Sequence, residues 1–223
     1  MVEKRPRTRA TYHHGDLRAA LVTAGIALAR EGGPQAVVLR EVARAVGVAP
    51  NSAYGHFATL TALRKAVARR ARGDMADAMY AHLEAVAQDA PDDPREAAKA
   101  YLREVGRAYV RFALTEPGLF RTGMGGDPTG IGIPGASELP PEDEDDDRTK
   151  PKFYLMRALE QLIAAGCMPP GDTGRAVMAS WATVHGLSIM LLDLLPQLPA
   201  DQKATAIDDA IDVLIEGLTT PRG

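Results

Sequence analysis

Apolar residues recur at helical spacing along most of the chain. Leu17, Leu21, Ala24 and Leu28 share one face and predict a first helix that ends near Glu31, before Gly32-Gly33-Pro34. Residues 39–57, LREVARAVGVAPNSAYGHF, predict two short helices around a tight turn: Leu39 to Val46, then Gly47-Val48-Ala49, then Pro50 to Phe57. Val42, Ala43 and Val46 give the first of them an apolar stripe. Gly47 suits the left-handed position that ends a helix. Val48 is placed to plug the angle between the two, and Pro50 fits a first helical turn, where its missing N–H is not needed. Thr59 predicts the cap of a fourth helix, about Leu60 to Gln88, long enough to leave an N-terminal head and enter a second unit.

Asp89-Ala90-Pro91-Asp92 interrupts that helix, and Asp93-Pro94-Arg95-Glu96 resembles a capping box with Pro94 at the first helical position. Leu102, Val105, Tyr109 and Phe112 mark the buried side of the next helix. Lys99, Arg103, Arg107 and Arg111 form a basic stripe, read as a solvated face. Residues 122–150 are rich in Gly and Pro, then strongly acidic, and read as a mobile loop. Its carboxylates lack a glycine-shaped binding loop, so no metal is expected. Helix resumes from Lys152 to Ala165 and ends at Gly166. Asp172 is placed to cap a helix from Thr173 to Leu195, apolar on nearly every side and so expected to be buried by its own domain and by a second subunit. Pro196 and Pro199 stop it. Ile207, Ile211, Leu214 and Leu218 predict a last amphipathic helix. Ala36-Val37-Val38 is too short for a strand, and no repeat is evident. The pattern predicts an all-α protein of about nine helices.

At 223 residues the chain suits one or two domains. No charge-free apolar run long enough for a membrane span stands out, and the basic start MVEKRPRTRATYHHGD lacks the apolar stretch of a signal peptide, so a cytoplasmic location is expected. The lone Cys167 excludes an intrachain disulfide and reads as a core residue. Charge changes the picture more. Residues 1–72 carry 13 Lys and Arg against 4 Asp and Glu, while residues 73–223 carry 13 against 25, within a net charge of −3. A basic head on an acidic body fits a DNA-binding unit whose remainder avoids DNA. Short helix, glycine turn, short helix is the helix-turn-helix pattern, whose second helix enters the major groove.

Residues 17–63 resemble the N-terminal domain of the tetracycline-repressor (TetR) family of one-component regulators. The resemblance rests on Leu17, Ala24, Leu28, Glu31-Gly32, Val42-Ala43, Gly47-Val48, Tyr54, His56-Phe57 and Leu63. The WATVHG stretch, with Trp181 and His185-Gly186, and YVRFALTEPGLFR at 109–121 resemble a subgroup named for a Trp-His-Gly signature. The resemblance implies a flexible basic arm at 1–15, a DNA-binding domain at 16–72 and a ligand-binding, dimerising body at 73–223. It implies a homodimer formed through the last two helices, about 173–195 and 203–218, on a palindromic DNA operator. It also implies release by a small-molecule effector, with no cofactor. Tyr54 and His56 are then phosphate contacts. Asn51, Ser52 and Ala53 stand at the exposed start of the recognition helix, where Asn pairs with adenine, Ser with either partner, and Ala meets a thymine methyl. Arg40 is a further phosphate candidate, and Arg5, Arg7 and Arg9 are candidates for a minor groove or the backbone. Three departures weaken the head: the cap before the second helix is Val38 or Leu39, the residue at 55 is Gly55, and the start of the fourth helix is Leu60.

The implied effector pocket has Met79, Tyr101, Tyr109, Phe112, Phe120, Met156, Trp181, His185 and Met190 as candidate lining. His185 reads either as a polar anchor or as a core histidine bonded to a backbone carbonyl. Trp181 and His185, one turn apart, are placed to stack. Two rival readings stand beside this one. One is a non-specific DNA-binding protein without effector response. The other is a small helical enzyme using His185 as base, with Ser188 nearby but no nucleophile motif or metal spacing.

Overall fold

The computed structural model describes residues 14–124 and 150–220. Among these it has nine α-helices and no strand. Residues 1–13 of the expected basic arm, with Arg5, Arg7 and Arg9, lie outside the described residues, as does 125–149 of the expected acidic loop; His14 and Gly15, also assigned to the arm, begin the first helix. Helix α1 (His14–Ala36) is broken at Gly33, whose φ of 67° is not helical. Helix α2 (Leu39–Val46) starts without a side-chain cap at Val38 and ends on Gly47 at φ 79°. Helix α3 (Pro50–Tyr54) is shorter than the expected Pro50 to Phe57. Gly55 is a poor helix former, and the chain turns there so that Phe57 enters the core. Thr59 caps α4 (Leu60–Val86) by accepting from the Ala62 N–H at 3.1 Å. A single 3₁₀ turn, Ala87–Asp89, then ends the rod.

The head is held by Leu21, Ile26, Leu39, Val42, Ala53, Phe57, Leu63 and Val67, all buried in one apolar core that continues along α4 through Met75 and Met79. Each fully buried Val, Leu, Ile, Met or Phe side chain contributes about 1.5–3 kcal/mol. Helix α5 (Pro94–Thr115) begins with Asp93 accepting from the Arg95 and Glu96 N–H groups. Helix α6 (Pro117–Met124) was not foreseen: residues 122–124, expected in the loop, form its last turn. Helix α7 (Pro151–Ala164) ends at Gly166, φ 67°. Helix α8 (Thr173–Ile189) runs into one π turn at Met190–Leu194. Asp172 gives α8 no side-chain cap; its carboxylate pairs with Arg175 instead. Helix α9 (Ala200–Thr219) closes the bundle.

The stripe expected to be a solvated face is instead mostly paired. Arg103 meets Asp212 and Arg107 meets Asp208, each at 2.7 Å, so two rungs at matching i,i+4 spacing join α5 to α9. Glu104 links Arg107 at 2.6 Å and His82 of α4 at 2.7 Å, and Lys99 turns to Glu96. Arg111 alone of the four stays exposed. Among the described residues one segment, Pro170–Leu194, is long and apolar enough to cross a membrane by length and composition alone, a test that a core helix also passes; it carries Asp172, Arg175 and Asp193 and so is not the charge-free run that a span would need. Ala176, Ser180, Val184 and Ser188 of that segment form a buried stripe in this bundle.

Candidate functional site

The α2–turn–α3 unit presents Asn51, Ser52 and Tyr54 to solvent, with Tyr54 55% exposed. His56, in the turn after α3, is half-buried. Ala53 is 1% exposed and faces the head core, so it cannot meet a thymine methyl. The reason is helical spacing: the face opposite Asn51 and Ser52 turns inward, where α3 packs on α2 and Phe57 closes back on Ala53. Arg40 is well exposed but already leans on Glu41 at 3.3 Å, as does Arg44. Arg64 donates to the Val37 carbonyl, tying α4 to the entry of α2. Arg18 of α1 lies over the Phe57 ring, 4.9 Å from its centroid. Sequence spacing gave no sign of that contact, because it joins residues far apart in the chain.

A second constellation forms in the body where α5, α6 and α8 meet. Trp181 and His185 stack at 4.8 Å with 19° between planes. Phe120 leans on His185 at 5.5 Å and meets Tyr109 edge-on at 5.9 Å. The Tyr109 hydroxyl and His185 Nδ1 share a hydrogen bond of 3.1 Å, so the partner of this histidine is a side chain and not a backbone carbonyl. Burial pushes the Tyr109 hydroxyl well above its ordinary value and holds the His185 imidazole below its own. Both groups are therefore neutral near pH 7, and the cluster is uncharged. The Trp181 indole Nε1 is buried and makes no hydrogen bond among the described residues; it lies near Tyr109, but not in bonding geometry.

The other candidate lining residues are less uniform. Met79 and Phe112 are buried, Met156 is half-buried, and Tyr101 lies under the Arg157 guanidinium at 5.7 Å. Met190 is 46% exposed and stands outside the buried cluster, because helical spacing puts it on the outer face with Met178 and Ala182. Ser188 donates to the Val184 carbonyl at 2.7 Å within its own helix and does not meet His185. No group of three or more metal-ligating side chains occurs among the described residues.

The least visible contact in the sequence is that of α6 with the head. A Cβ at Gly118 would stand 2.3 Å from the Ala29 carbonyl oxygen and 2.5 Å from that of Arg30, so this glycine lies directly on the end of α1. Glu116 pairs with Arg30 at 2.9 Å, and Arg72 of α4 donates to the Gly123 carbonyl at 3.2 Å. Pro117 and Gly118 open this helix, and Leu119 and Phe120 behind them are buried.

A helix-turn-helix head fused through one long helix to a helical body defines the class: a DNA-binding regulator. Comparison with known proteins gives the family. Residues 21–67 match the family of bacterial regulatory proteins, tetR family, and residues 102–214, half of the chain, match the tetracyclin repressor-like C-terminal domain. The chain belongs to the TetR family of transcriptional regulators. Members are soluble, cytoplasmic DNA-binding proteins and not enzymes. No curated protein matches the sequence. Among solved structures, one of unknown function from Rhodococcus sp. RHA1 is 24% identical, with 95% of this chain and 100% of the other covered at a TM-score of 0.64. A TetR variant from Acinetobacter baumannii AYE in complex with minocycline is 18% identical, covering 95% and 100%, at 0.59. RolR in complex with resorcinol is 18% identical, covering 94% and 96%, at 0.60. At these identities the likeness is one of fold.

Proposed function

We propose that this protein is a transcriptional repressor that binds a palindromic operator as a homodimer in the cytoplasm and leaves it when a small molecule occupies the body. The proposed units are the arm at 1–15, the head at 16–72 and the body at 73–223. Asn51 and Ser52 read bases; Tyr54, His56, Arg40 and the arm arginines hold phosphates. Trp181, His185 and Gly186 support the further reading that the chain belongs to a subgroup with a Trp-His-Gly signature.

The observation that carries effector response is the position of α6. Phe120 belongs to the ring cluster, and Gly118, two residues earlier, rests on the last carbonyls of the main run of α1. A ligand that displaces Phe120 must move the helix on which the head leans. Close-packed contacts of this kind switch between arrangements and do not deform smoothly. The fold accommodates small molecules in similar structures, those with minocycline and resorcinol. The ligand-bound state would place the two recognition helices out of step with major grooves about 34–36 Å apart. Dimerisation is supported by the outer face of α8. Gly174, Met178, Ala182 and Gly186 recur there at i,i+4 spacing, followed by Met190 in the π turn, with no charge interrupting them.

The test is linkage. Operator DNA and effector must weaken each other's binding by the same factor. Effector candidates are titrated by calorimetry against free protein and against protein saturated with operator duplex. Equal affinities in both states rule the mechanism out.

A further inference from the structure

Residues 45–63, which contain the turn, the recognition helix and the start of α4, include no lysine or arginine. A protein that holds a polyanion through this segment must draw cations from neighbouring elements. Arg40 and Arg44 flank it on α2 but share Glu41, and Arg64 bonds to the Val37 carbonyl. Arg18 is different. It is exposed, and among the described residues its one interaction is with the Phe57 ring. Phe57 is itself fixed: it is buried, and its N–H donates to the Ala53 carbonyl at 3.0 Å, across the Gly55 turn.

We propose that Arg18 is a DNA-phosphate contact, held beside the recognition helix by stacking over Phe57. This rests on the DNA-binding reading of the head. A guanidinium stacked on a ring uses its face and leaves its N–H edge free, and that edge matches two phosphate oxygens at once. Stacking also fixes a side chain that would otherwise lose much of its freedom on binding. A carboxylate neighbour would have neutralised the charge. Here the ring holds the guanidinium without doing so. The position is apt as well: Phe57 directly follows His56 and closes the turn after Tyr54, so the cation supplied by α1 lies at the edge of the segment that lacks one.

The full chain is tested on two duplexes of equal length, one selected by the wild-type protein from a random pool and one of random sequence. Binding constants are measured from about 50 to 200 mM salt, the range over which phosphate contacts dominate affinity. Arg18→Gln is expected to weaken both duplexes alike and to flatten the plot of log K against log salt by about 0.9 for each phosphate that a subunit no longer neutralises. Arg18→Lys, which keeps the charge, is expected to restore most of the slope. If Arg18→Gln keeps the wild-type slope, the proposal is overturned, whether or not its melting temperature falls; a fall with an unchanged slope would mark a packing role. If the wild-type protein binds neither duplex at the lowest salt, the DNA-binding reading of the head fails first.

Discussion

The Tyr109 hydroxyl and the His185 ring show how burial sets chemistry at single residues. His185 ordinarily titrates near 6.5, and burial holds it lower in the folded chain. The unfolded chain therefore takes up the proton first. Stability is full above the ordinary value and declines as pH falls through it towards the lower folded value. His185→Gln removes that proton site. Its melting temperature is expected to fall less than that of the wild type between about pH 7 and 5, although partial exposure of the ring keeps the difference below full linkage. Parallel melting curves across that range would show that His185 does not carry the dependence. In the head, Tyr54→Phe is expected to weaken binding to all duplexes alike. Asn51→Ala should relax preference at one base pair, a loss of about 1–3 kcal/mol for the preferred base. If both variants changed sequence preference alone, the division between phosphate and base contacts would be wrong. The Trp181–His185 stack was legible from i,i+4 spacing. The burial of Ala53 and the Arg18–Phe57 contact were not, since each depends on which elements pack together.

At the scale of elements, the helices with local signals were read most closely. Leu39–Val46 matched at both ends because Gly47 stops it, and Thr59 and Asp93 cap as their side chains require. Asp172 makes no cap bond because it ends a 3₁₀ turn with helical dihedrals, where an N-cap needs an extended residue. Helix α6 was missed because its stability comes from packing between α1, α4 and the ring cluster and not from its own sequence. Two glycines show what that packing demands. At Gly118 an added Cβ meets carbonyl oxygens of α1, which cannot turn aside, so Gly118→Ala is expected to cost about 1–3 kcal/mol. At Gly106 the nearest atom, 2.8 Å away, is the end of the Ile211 side chain, which can turn. There alanine also gains up to about 1 kcal/mol of helix propensity, so Gly106→Ala should be near neutral. Urea unfolding of the two variants compares them directly. Equal losses would mean that α6 is not wedged against α1. If Gly118 carries the effector signal, its variant should also show weaker coupling between effector and DNA.

At the scale of the molecule, the exposed apolar residues bear on the proposed dimer. Leu194 at 70% and Val213 at 69% exposure lie on the α8–π turn segment and α9, which pack against each other, with Leu195, Met178 and Met190 also open. On α9, Ala206, Ala210, Val213 and Gly217 recur at helical spacing, small enough for another helix to approach closely. A two-fold axis beside these helices would bury the apolar face of each copy on that of the other, as an isologous interface requires. The acidic rungs at Asp208 and Asp212 are already turned to α5, so they would not oppose the approach. Val213→Glu places a charge in that face without touching the head, the ring cluster or the buried stripe of α9. It is expected to shift the protein to monomers in sedimentation and to keep the helical circular dichroism of the wild type. Binding to a selected palindrome would fall by well over tenfold, since each subunit would hold only one half-site, while the weaker binding to random duplex would change far less. A variant that stayed dimeric would place the interface elsewhere. A monomeric variant with undiminished preference for the palindrome would show that one head suffices and that pairing of heads is not how this chain selects its site.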